Sequence, residues 1–218
     1  MTPYYQDDAV TIYHGDAREC LDWLAADVLV TDPPYGLGGA LSMSGWTSAR
    51  RFGRQTWDDD LRARDDVLGL WGAEKPYAVF GSPRRLSDAP RHREIPLIWD
   101  KGDMVAMGDT SFPWRATYEL IYVGGAPWHG HRGPAVLRVP HHSGVASAIG
   151  HPSAKPVTLL KLLIGKSEGA VADPFMGSGT TLVAAKDLGR RAIGIEIEER
   201  YCEIAATRCS QEVLGLAP

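Results

Sequence analysis

Short β-rich runs alternate with helical stretches along most of this 218-residue chain. Alternation of this kind predicts an α/β fold in which about seven strands form a mostly parallel sheet. The predicted strands are Thr11–His14, Asp27–Thr31, Tyr77–Phe80, Pro96–Trp99, Tyr118–Val123, Ala170–Ala172 and Arg191–Glu196. The predicted helices are Ala17–Ala25, Asp66–Trp71, Arg84–Arg91, Pro156–Ile164, Thr180–Leu188 and a last one from Glu199 onward.

The composition is that of a single globular domain covering residues 1–218. Hydrophobic residues make up 44% of the chain and charged residues 23%, which argues against disorder, collagen and coiled coil. No apolar run approaches the roughly 20 residues that span a bilayer, and the polar, acidic segment Met1–Val10 is unlike a signal peptide. The 3 cysteines are too few for a disulfide scaffold. We therefore expect a protein of a reducing compartment, with no membrane partner.

Charge is distributed unevenly along the chain. The formal net charge of −4 is, taken whole, unlike the basic footprint of a nucleic-acid-binding protein. Residues 1–49, however, carry a net charge of −6, whereas residues 50–142 carry +2. A polyanion would therefore bind the middle of the chain in preference to its ends. The alternative is that these charged residues belong to solvated surface loops and bind no partner.

One motif, Val171–Thr181, joins a strand to an acidic residue, a Gly-x-Gly turn and a helix. Glycines let a ligand approach the backbone at the carboxyl end of a strand. Glu196 ends the next strand, 19 residues after Gly177, which is the spacing of a carboxylate that holds ribose hydroxyls; a strand-end salt bridge is the alternative. Because the lysine of a phosphate loop is absent, an uncharged or cationic nucleoside fits better than a triphosphate, and Asp173 could face its cationic part.

A second motif, Thr31–Gly36, reads Thr-Asp-Pro-Pro-Tyr-Gly and also follows a predicted strand. Pro33 and Pro34 fix the turn and leave backbone carbonyls free. Asp32 supplies a further acceptor, and Tyr35 supplies a flat apolar face. Together these groups suit an exocyclic amino group on a planar base. The alternatives are a turn-capping role for Asp32 and a core position for Tyr35.

The two motifs together resemble those of the DNA amino-methyltransferases that use S-adenosylmethionine, which carry Asp-Pro-Pro-Tyr and Phe-x-Gly-x-Gly sequences. Their order here, with the catalytic motif first, resembles the permuted beta group of that family. Further matches are Gly15-Asp16-Ala17, Ile98–Lys101, Tyr118–Ile121 and His151–Pro156, the last of which lies against the methionine part of the cofactor in the family. The resemblance spans residues 11–208. It implies a Rossmann-like methyltransferase fold with helices on both faces of the sheet.

The resemblance also implies the residues of the site, which needs no metal. The implied catalytic residues are Asp32, Pro33, Pro34 and Tyr35. The implied residues for binding S-adenosylmethionine are Asp16, Ala17, Asp32, Lys155, Asp173, Phe175, Gly177, Ser178, Gly179, Thr180 and Glu196. Asp16 could instead cap the helix that follows it.

The implied reaction is direct methyl transfer to the N6 amino group of adenine in DNA. The target base would first be flipped out of the duplex, since its amino group is otherwise paired. Hydrogen bonds to Asp32 and to the carbonyl of Pro33 would orient the amino group, and Asp32 would stabilise the charge that develops on nitrogen. Tyr35 would stack on the base.

DNA contacts are expected from two loop-like segments, Gly36–Arg64 and Gly124–Gly150. The basic and aromatic residues that we expect to touch DNA are Arg50, Arg51, Arg54, Trp57 and Arg132. An ordinary surface loop is the alternative for the first segment. The second is shorter than the recognition region that the family often carries, so we expect no separate recognition domain and a short or loose target site. The histidines near Trp128 and at His141–His142 lack cysteine partners at zinc-site spacing.

Other functions remain open beside this one. Cytosine N4 methylation is the rival reaction, but family members that act on cytosine more often have Ser where Asp32 stands, so adenine is favoured. RNA is an alternative substrate, and a non-catalytic DNA-binding partner is an alternative class, against which intact Asp32 and Tyr35 argue. Dimers are common in the resembling group, which favours a homodimer. DNA modification would place the protein at the nucleoid in the cytoplasm, beside a restriction enzyme or as an orphan methylase.

Overall fold

A computed structural model describes residues 1–36, 61–82, 96–102, 113–141, 149, 151 and 154–211. Within these ranges one sheet is built from β1 (Tyr5–Gln6), β2 (Val10–His14), β3 (Val28–Thr31), β4 (Tyr77–Gly81), β5 (Leu97–Asp100), β6 (Tyr118–Gly124), β7 (Val136–Arg138), β8 (Val171–Asp173) and β9 (Ala192–Glu196). Their order across the sheet is β1-β2-β9-β8-β3-β4-β6-β5-β7. Five neighbouring strands, β2, β9, β8, β3 and β4, are parallel to one another, and β7 is parallel to β5. β1 and β6 are antiparallel to their neighbours. This mostly parallel sheet confirms the predicted α/β class.

Two of these strands, β1 and β7, are absent from the prediction made from sequence. β7 lies inside the segment Gly124–Gly150, for which the residue pattern predicts loop throughout. With three residues it is too short to show a periodic pattern. It forms because β5 offers it a partner, with Ile98 beside Val136 and Asp100 beside Arg138. The prediction of a loop is therefore wrong for these residues.

The α-helices in the described ranges are α1 (Arg62–Trp71), α2 (Val157–Ile164), α3 (Thr180–Asp187) and α4 (Glu199–Ser210). Each confirms a predicted helix, although α1 begins four residues earlier than predicted. Pro156 stands immediately before α2, where its missing N–H breaks no helical hydrogen bond. The predicted helix Arg84–Arg91 lies outside the described residues. None of the helices in the described part of the chain is long and apolar enough to cross a membrane.

The predicted helix Ala17–Ala25 is wrong: only Asp22–Ala25 is helical, as a short 3₁₀ turn. Two contacts explain the difference. The side chain of Asp16 accepts a hydrogen bond from the backbone N–H of Arg18 at 2.9 Å, which favours a turn over a helix. The indole of the buried Trp23 donates to the carbonyl of Ala17 at 2.9 Å, so that this carbonyl bonds a side chain.

The hydrophobic core has two parts, one on each face of the sheet. On one face, Val28 and Val30 of β3 pack with residues of α2, α3 and α4. On the other, Leu29 packs with Trp23 and with residues of α1. Successive residues of a strand point to opposite faces, so a continuous apolar strand such as β3 requires cover on both sides. Helices on both faces of the sheet are thus confirmed.

The strand directions place the ends of β3, β4, β5, β8 and β9 at one edge of the sheet, which is called the carboxyl edge below. Because β6 runs antiparallel to β4 and β5, its first residues also lie at this edge. Its last residue, Gly124, is therefore at the opposite edge, and the chain that follows contacts residues there. The N–H of His129 donates to the carbonyl of Lys166, and that of Ala126 donates to the carbonyl of Glu74.

Candidate active site

A cavity of about 720 Å³ opens at the carboxyl edge and is lined by both sequence motifs. This volume is in the range of sites that bind small molecules. The two motifs meet there because β3 and β8 are adjacent parallel strands and both motifs follow their carboxyl ends. The predicted site residues that line the cavity are Asp16, Ala17, Asp32, Pro33, Pro34, Tyr35, Lys155, Asp173, Phe175, Gly177, Ser178, Thr180 and Glu196.

The Gly-x-Gly turn between β8 and α3 requires its glycines. Gly177 and Gly179 have φ values of +50° and +76°, a region that side chains disfavour. Gly179 stands behind the lining: a Cβ there would lie 2.7 Å from the Cβ of Ala205 on α4. From the same helix, the guanidinium of Arg208 donates to the Ser178 carbonyl at 2.5 Å and to the Thr180 hydroxyl at 3.1 Å. The turn is therefore held from behind by α4.

The carboxylate of Glu196, at the end of β9, lines the cavity. One of its oxygens accepts a hydrogen bond from the N–H of Gly177 at 3.0 Å, and the other accepts from the N–H of Glu198 at 2.8 Å. Burial raises the pKa of Glu196 to about 7, although these two N–H groups oppose the rise. A carboxylate placed here can accept further hydrogen bonds from hydroxyls of a ligand.

Asp173 ends β8, lines the cavity and is almost fully buried. Its carboxylate accepts hydrogen bonds from the Thr31 hydroxyl at 2.7 Å and from the N–H of Phe175 at 3.2 Å. Burial raises the pKa of Asp173 to about 6, against the effect of these donors. The end of β3 is thus joined directly to the end of β8.

The segment after β2 forms another wall of the cavity. Asp16 receives the guanidinium of Arg18, whose nearest nitrogen lies 2.6 Å from its carboxylate. This hydrogen bond lowers the pKa of Asp16. Ala17 is buried beside it.

His151 lines the cavity beside α4, with its ring centroid 4.6 Å from that of Tyr201. Burial lowers the pKa of His151 to about 4. His151 is therefore neutral at pH 7.

The Asp-Pro-Pro-Tyr turn lies at the end of β3, with Pro33 and Pro34 buried. The Tyr35 hydroxyl donates a hydrogen bond to one oxygen of Asp32. The aromatic ring of Tyr35 packs against the core cluster that contains Val28 and Val30. The motif alone indicated only a stacking face for Tyr35, whereas in the structure its hydroxyl also fixes the carboxylate.

Lys155 donates to the second oxygen of Asp32. Its ammonium also lies 3.4 Å from the carboxylate of Glu119, which in turn lies 2.5 Å from the ammonium of Lys101. Burial acts to raise the pKa of Glu119, but the two lysines hold it below its ordinary value. Burial acts to lower the pKa of Lys155, but Asp32 and Glu119 raise it. These four side chains, two acidic and two basic, are called the charge quartet below.

Glu119 and Lys101 were not among the predicted site residues. Glu119 is the second residue of β6 and Lys101 follows β5, so both side chains meet at the carboxyl edge. A signal was present in the sequence: a single glutamate interrupts the apolar strand Tyr118–Val123. Arg208 was missed too, since an arginine on a C-terminal helix does not indicate which loop it will contact.

The predicted DNA-contacting residues fall into two groups. Arg50, Arg51, Arg54 and Trp57 lie outside the described residues. Arg132 is exposed in the chain between β6 and β7, at the edge of the sheet opposite the cavity. It is not brought together with the other site residues. In the described ranges no group of three or more His, Cys, Asp or Glu side chains could hold a metal ion.

Comparison with known proteins supplies the family. A family model described as DNA methylase matches residues 84–207, which is more than half of the chain. The chain belongs to the DNA methylase family. It is a DNA methyltransferase of the N6/N4 group, whose members modify amino groups of bases.

Relatives and solved structures of this DNA methylase agree with its fold. It is 27% identical over 265 aligned residues to the type II methyltransferase M.ScaI of Streptomyces caespitosus, covering 98% of this chain and 86% of the relative. The complex of M1.HpyAVI with S-adenosylmethionine superposes with a TM-score of 0.62 at 23% identity, covering 91% of this chain and 99% of that one. The cytosine-N4-specific PvuII DNA methyltransferase superposes with a TM-score of 0.69 at 14% identity, covering 98% and 90%. These likenesses confirm the Rossmann-like methyltransferase fold.

Proposed function

We propose that this DNA methylase transfers a methyl group from S-adenosylmethionine to the N6 amino group of adenine in DNA. The observation that carries the proposal is one cavity that is lined both by Asp32 and Tyr35 and by Asp173 and Glu196. The first pair matches the acceptor and ring that a flipped base requires. The second pair matches the acceptors that a cationic nucleoside requires.

The cavity fits S-adenosylmethionine by the chemistry of its lining. Glu196 presents a carboxylate for the ribose hydroxyls, and Asp173 adds a buried negative charge that suits a cation. Phe175 and Ala17 offer apolar contact, while the positive φ of Gly177 lets the backbone approach the ligand. When bound, the cofactor supplies a methyl group activated by a positively charged sulfur.

Asp32 and its neighbours orient the nucleophile. The amino nitrogen of adenine is a poor nucleophile while its lone pair is delocalised into the ring. Hydrogen bonds from the amino group to Asp32 and to the Pro33 carbonyl localise that pair and direct it at the methyl group. As the bond from nitrogen to the methyl carbon forms and the bond from that carbon to sulfur breaks, S-adenosylhomocysteine would be the leaving group and the nitrogen would gain positive charge. The carboxylate of Asp32 stabilises that charge in a partly buried site where electrostatic effects are strong. The surplus amino proton would then pass to solvent. Holding both substrates in line supplies a further large part of the acceleration.

Tyr35 receives the flipped base. Extruding a base from a duplex costs a few kcal/mol, which stacking on an aromatic ring partly offsets. Tyr35 is suited to this because its hydroxyl is fixed on Asp32, which sets the ring in place before the base arrives.

Target recognition by this protein is proposed to be short or loose. Much of the segment Gly124–Gly150 is committed elsewhere: residues 125–135 lie at the edge of the sheet away from the cavity, and Val136–Arg138 form β7. The alignment with M.ScaI is also longer than this chain, so the relative carries residues that this protein lacks. Within the described part of this segment few side chains therefore remain to read base edges, and phosphate contacts read no sequence.

A direct test is nucleoside analysis after reaction. The chain is incubated with duplex DNA and S-adenosylmethionine carrying a labelled methyl group, and the DNA is then digested and its nucleosides separated. We expect label in N6-methyl-2′-deoxyadenosine, and about 10²-fold less of it with Asp32→Ala. Label in N4-methyl-2′-deoxycytidine would instead identify cytosine as the target base, while binding of DNA without any transfer would support the non-catalytic role. Parallel incubation with RNA separates the two nucleic acids.

A further inference from the structure

The charge quartet of Asp32, Lys155, Glu119 and Lys101 raises a problem for the proposed reaction. The ammonium of Lys155 bonds to the carboxylate of Asp32. A positive charge in that position weakens the attraction between Asp32 and a nitrogen that becomes cationic. The Lys155 ammonium and the target amino group are moreover both N–H donors, so they compete for the same acceptor.

Glu119 offers a second acceptor for the same ammonium. Its carboxylate lies 3.4 Å from the nitrogen of Lys155, and also 3.4 Å from the hydroxyl oxygen of Tyr35. Both donors that now bond to Asp32 therefore have Glu119 within reach. The side chain of Lys155 is only 7% exposed and that of Glu119 only 16%, so solvent is a poor alternative partner. A buried ammonium that leaves one carboxylate requires another.

Lys101 keeps Glu119 ready for this exchange. Its ammonium contacts Glu119 at 2.5 Å and lies 5.0 Å from the centre of the Trp99 ring. With Lys101 in place, Glu119 stays ionised in spite of its burial. The exchange of Lys155 between the two carboxylates leaves the total charge of the quartet unchanged.

We propose that Glu119 is a positioning residue that takes the Lys155 ammonium from Asp32 when the target amino group enters, so that the Asp32 carboxylate is free for the base. This inference rests on the proposed function. In the absence of a substrate the Lys155 ammonium bonds to Asp32. When a base binds, the ammonium moves by a short distance from Asp32 to Glu119. No covalent step is added to the reaction.

The kinetic test removes the second acceptor and then the competing donor. Glu119→Gln keeps the shape of the side chain but removes its charge, so Lys155 should stay on Asp32. We expect the single-turnover rate at saturating S-adenosylmethionine to fall by about tenfold or more, with the Kd for the cofactor changed by less than about threefold. Adding Lys155→Met to Glu119→Gln removes the competitor, and the double variant should be several-fold faster than Glu119→Gln alone. Glu168→Gln, at an exposed glutamate beside His129, is the matched control and should behave as the wild type does.

A double variant no faster than Glu119→Gln, or a Glu119→Gln variant with the wild-type rate, would overturn the proposal. Failure of the proposed function has a different signature, since the wild-type chain would then transfer no methyl group to DNA. For that case a second measurement uses the unfolding of the protein without substrates. Either carboxylate alone can hold the ammonium, so the denaturation midpoint of Asp32→Asn with Glu119→Gln should fall by more than the sum of the single shifts. Additive shifts would refute the exchange whatever the activity.

Discussion

The hydroxyl of Thr31 donates a 2.7 Å hydrogen bond to the carboxylate of Asp173, 142 residues further along the chain. It joins the last residue of β3, which leads into the Asp-Pro-Pro-Tyr turn, to the last residue of β8, which leads into the Gly-x-Gly turn. Both side chains are almost fully buried. The two halves of the candidate site are therefore joined directly by a buried hydrogen bond.

Thr31→Val should destabilise the protein by about 1–3 kcal/mol. The substitution preserves the shape of the side chain but leaves the buried Asp173 carboxylate without one of its donors, and an unsatisfied buried acceptor costs that amount. Urea denaturation measures the effect. Thr207→Val, on α4 away from this contact, serves as a comparison for the replacement of a hydroxyl by a methyl group. Equal stability of Thr31→Val and the wild type would show that the contact contributes nothing.

Asp32→Ala should reduce methyl transfer by about 10²-fold or more, the usual scale for loss of one preorganised electrostatic group. The fold should persist, because Lys155 keeps Glu119 as a partner. Binding of S-adenosylmethionine should remain close to that of the wild type, since Glu196 and Asp173 are untouched. Rapid-quench kinetics and calorimetry on the same preparation separate the two effects. Transfer at the wild-type rate would refute the proposed mechanism.

Tyr35→Phe should lose activity in part, and Tyr35→Ala should lose much more. Phenylalanine keeps the stacking face but removes the hydrogen bond to Asp32. A hydrogen bond to a charged group contributes about 1.5–3 kcal/mol, so we expect the single-turnover rate to fall by about tenfold or more. If Tyr35→Phe retains the full rate, the ring alone accounts for the role of this residue.

Binding of S-adenosylmethionine should weaken as the pH falls below about 7. The pKa of Glu196 is raised to about 7 in the protein without ligand, and a protonated carboxyl accepts hydrogen bonds from the ribose less well. Below that pKa each pH unit should therefore weaken binding by up to about tenfold. Calorimetry between about pH 5.5 and about pH 8.5 tests this. In Glu196→Gln the dependence above about pH 6 should largely disappear, and what remains below it comes from Asp173, whose pKa is raised to about 6.

Glu196→Gln should also stabilise the cofactor-free protein, but only at higher pH. A carboxyl whose pKa is raised on folding favours the folded state below its unfolded pKa, and that contribution disappears as the pH rises through about 7. Partial exposure reduces the effect to about 1 kcal/mol, or roughly 2–4 °C in Tm. Melting curves at high and low pH should thus differ between variant and wild type only at the high value. A stabilisation of equal size at both would assign it to packing.

Replacing Arg50 or Arg51 by glutamine, which removes the charge, should weaken binding to all DNA sequences equally. A plot of log affinity against log salt concentration has a negative slope, and removing one arginine that binds a phosphate should reduce the magnitude of that slope by about 0.9. These two residues lie outside the described ranges, so the expectation comes from the sequence alone. Arg132→Gln is the matched control, because Arg132 lies at the edge of the sheet away from the cavity and should leave binding unchanged. If Arg132→Gln weakened binding as much as Arg50→Gln, this assignment of the DNA-binding side would be contradicted.

The sequence by itself determined most of the fold and the two motifs of the site. Strands such as β3 and β9 were predictable because apolar, β-branched runs end at a turn or an acidic residue, and these signals are local. Only one helix, α3, and one strand, β9, separate Gly177 from Glu196. The contact between these two residues was therefore predictable from their spacing in the sequence.

Only the tertiary structure decided which distant side chains meet. The helix predicted from Ala17 is not formed, because Trp23 and Asp16 take part in contacts that compete with helical hydrogen bonds. Strand order brings Glu119 and Lys101 to Asp32 and Lys155, and antiparallel β6 sends Arg132 to the opposite edge. Strand pairing joins residues far apart in sequence, and its pattern depends on how the whole sheet buries its two faces. For that reason the charges that surround Asp32 could not be read from the residues next to it.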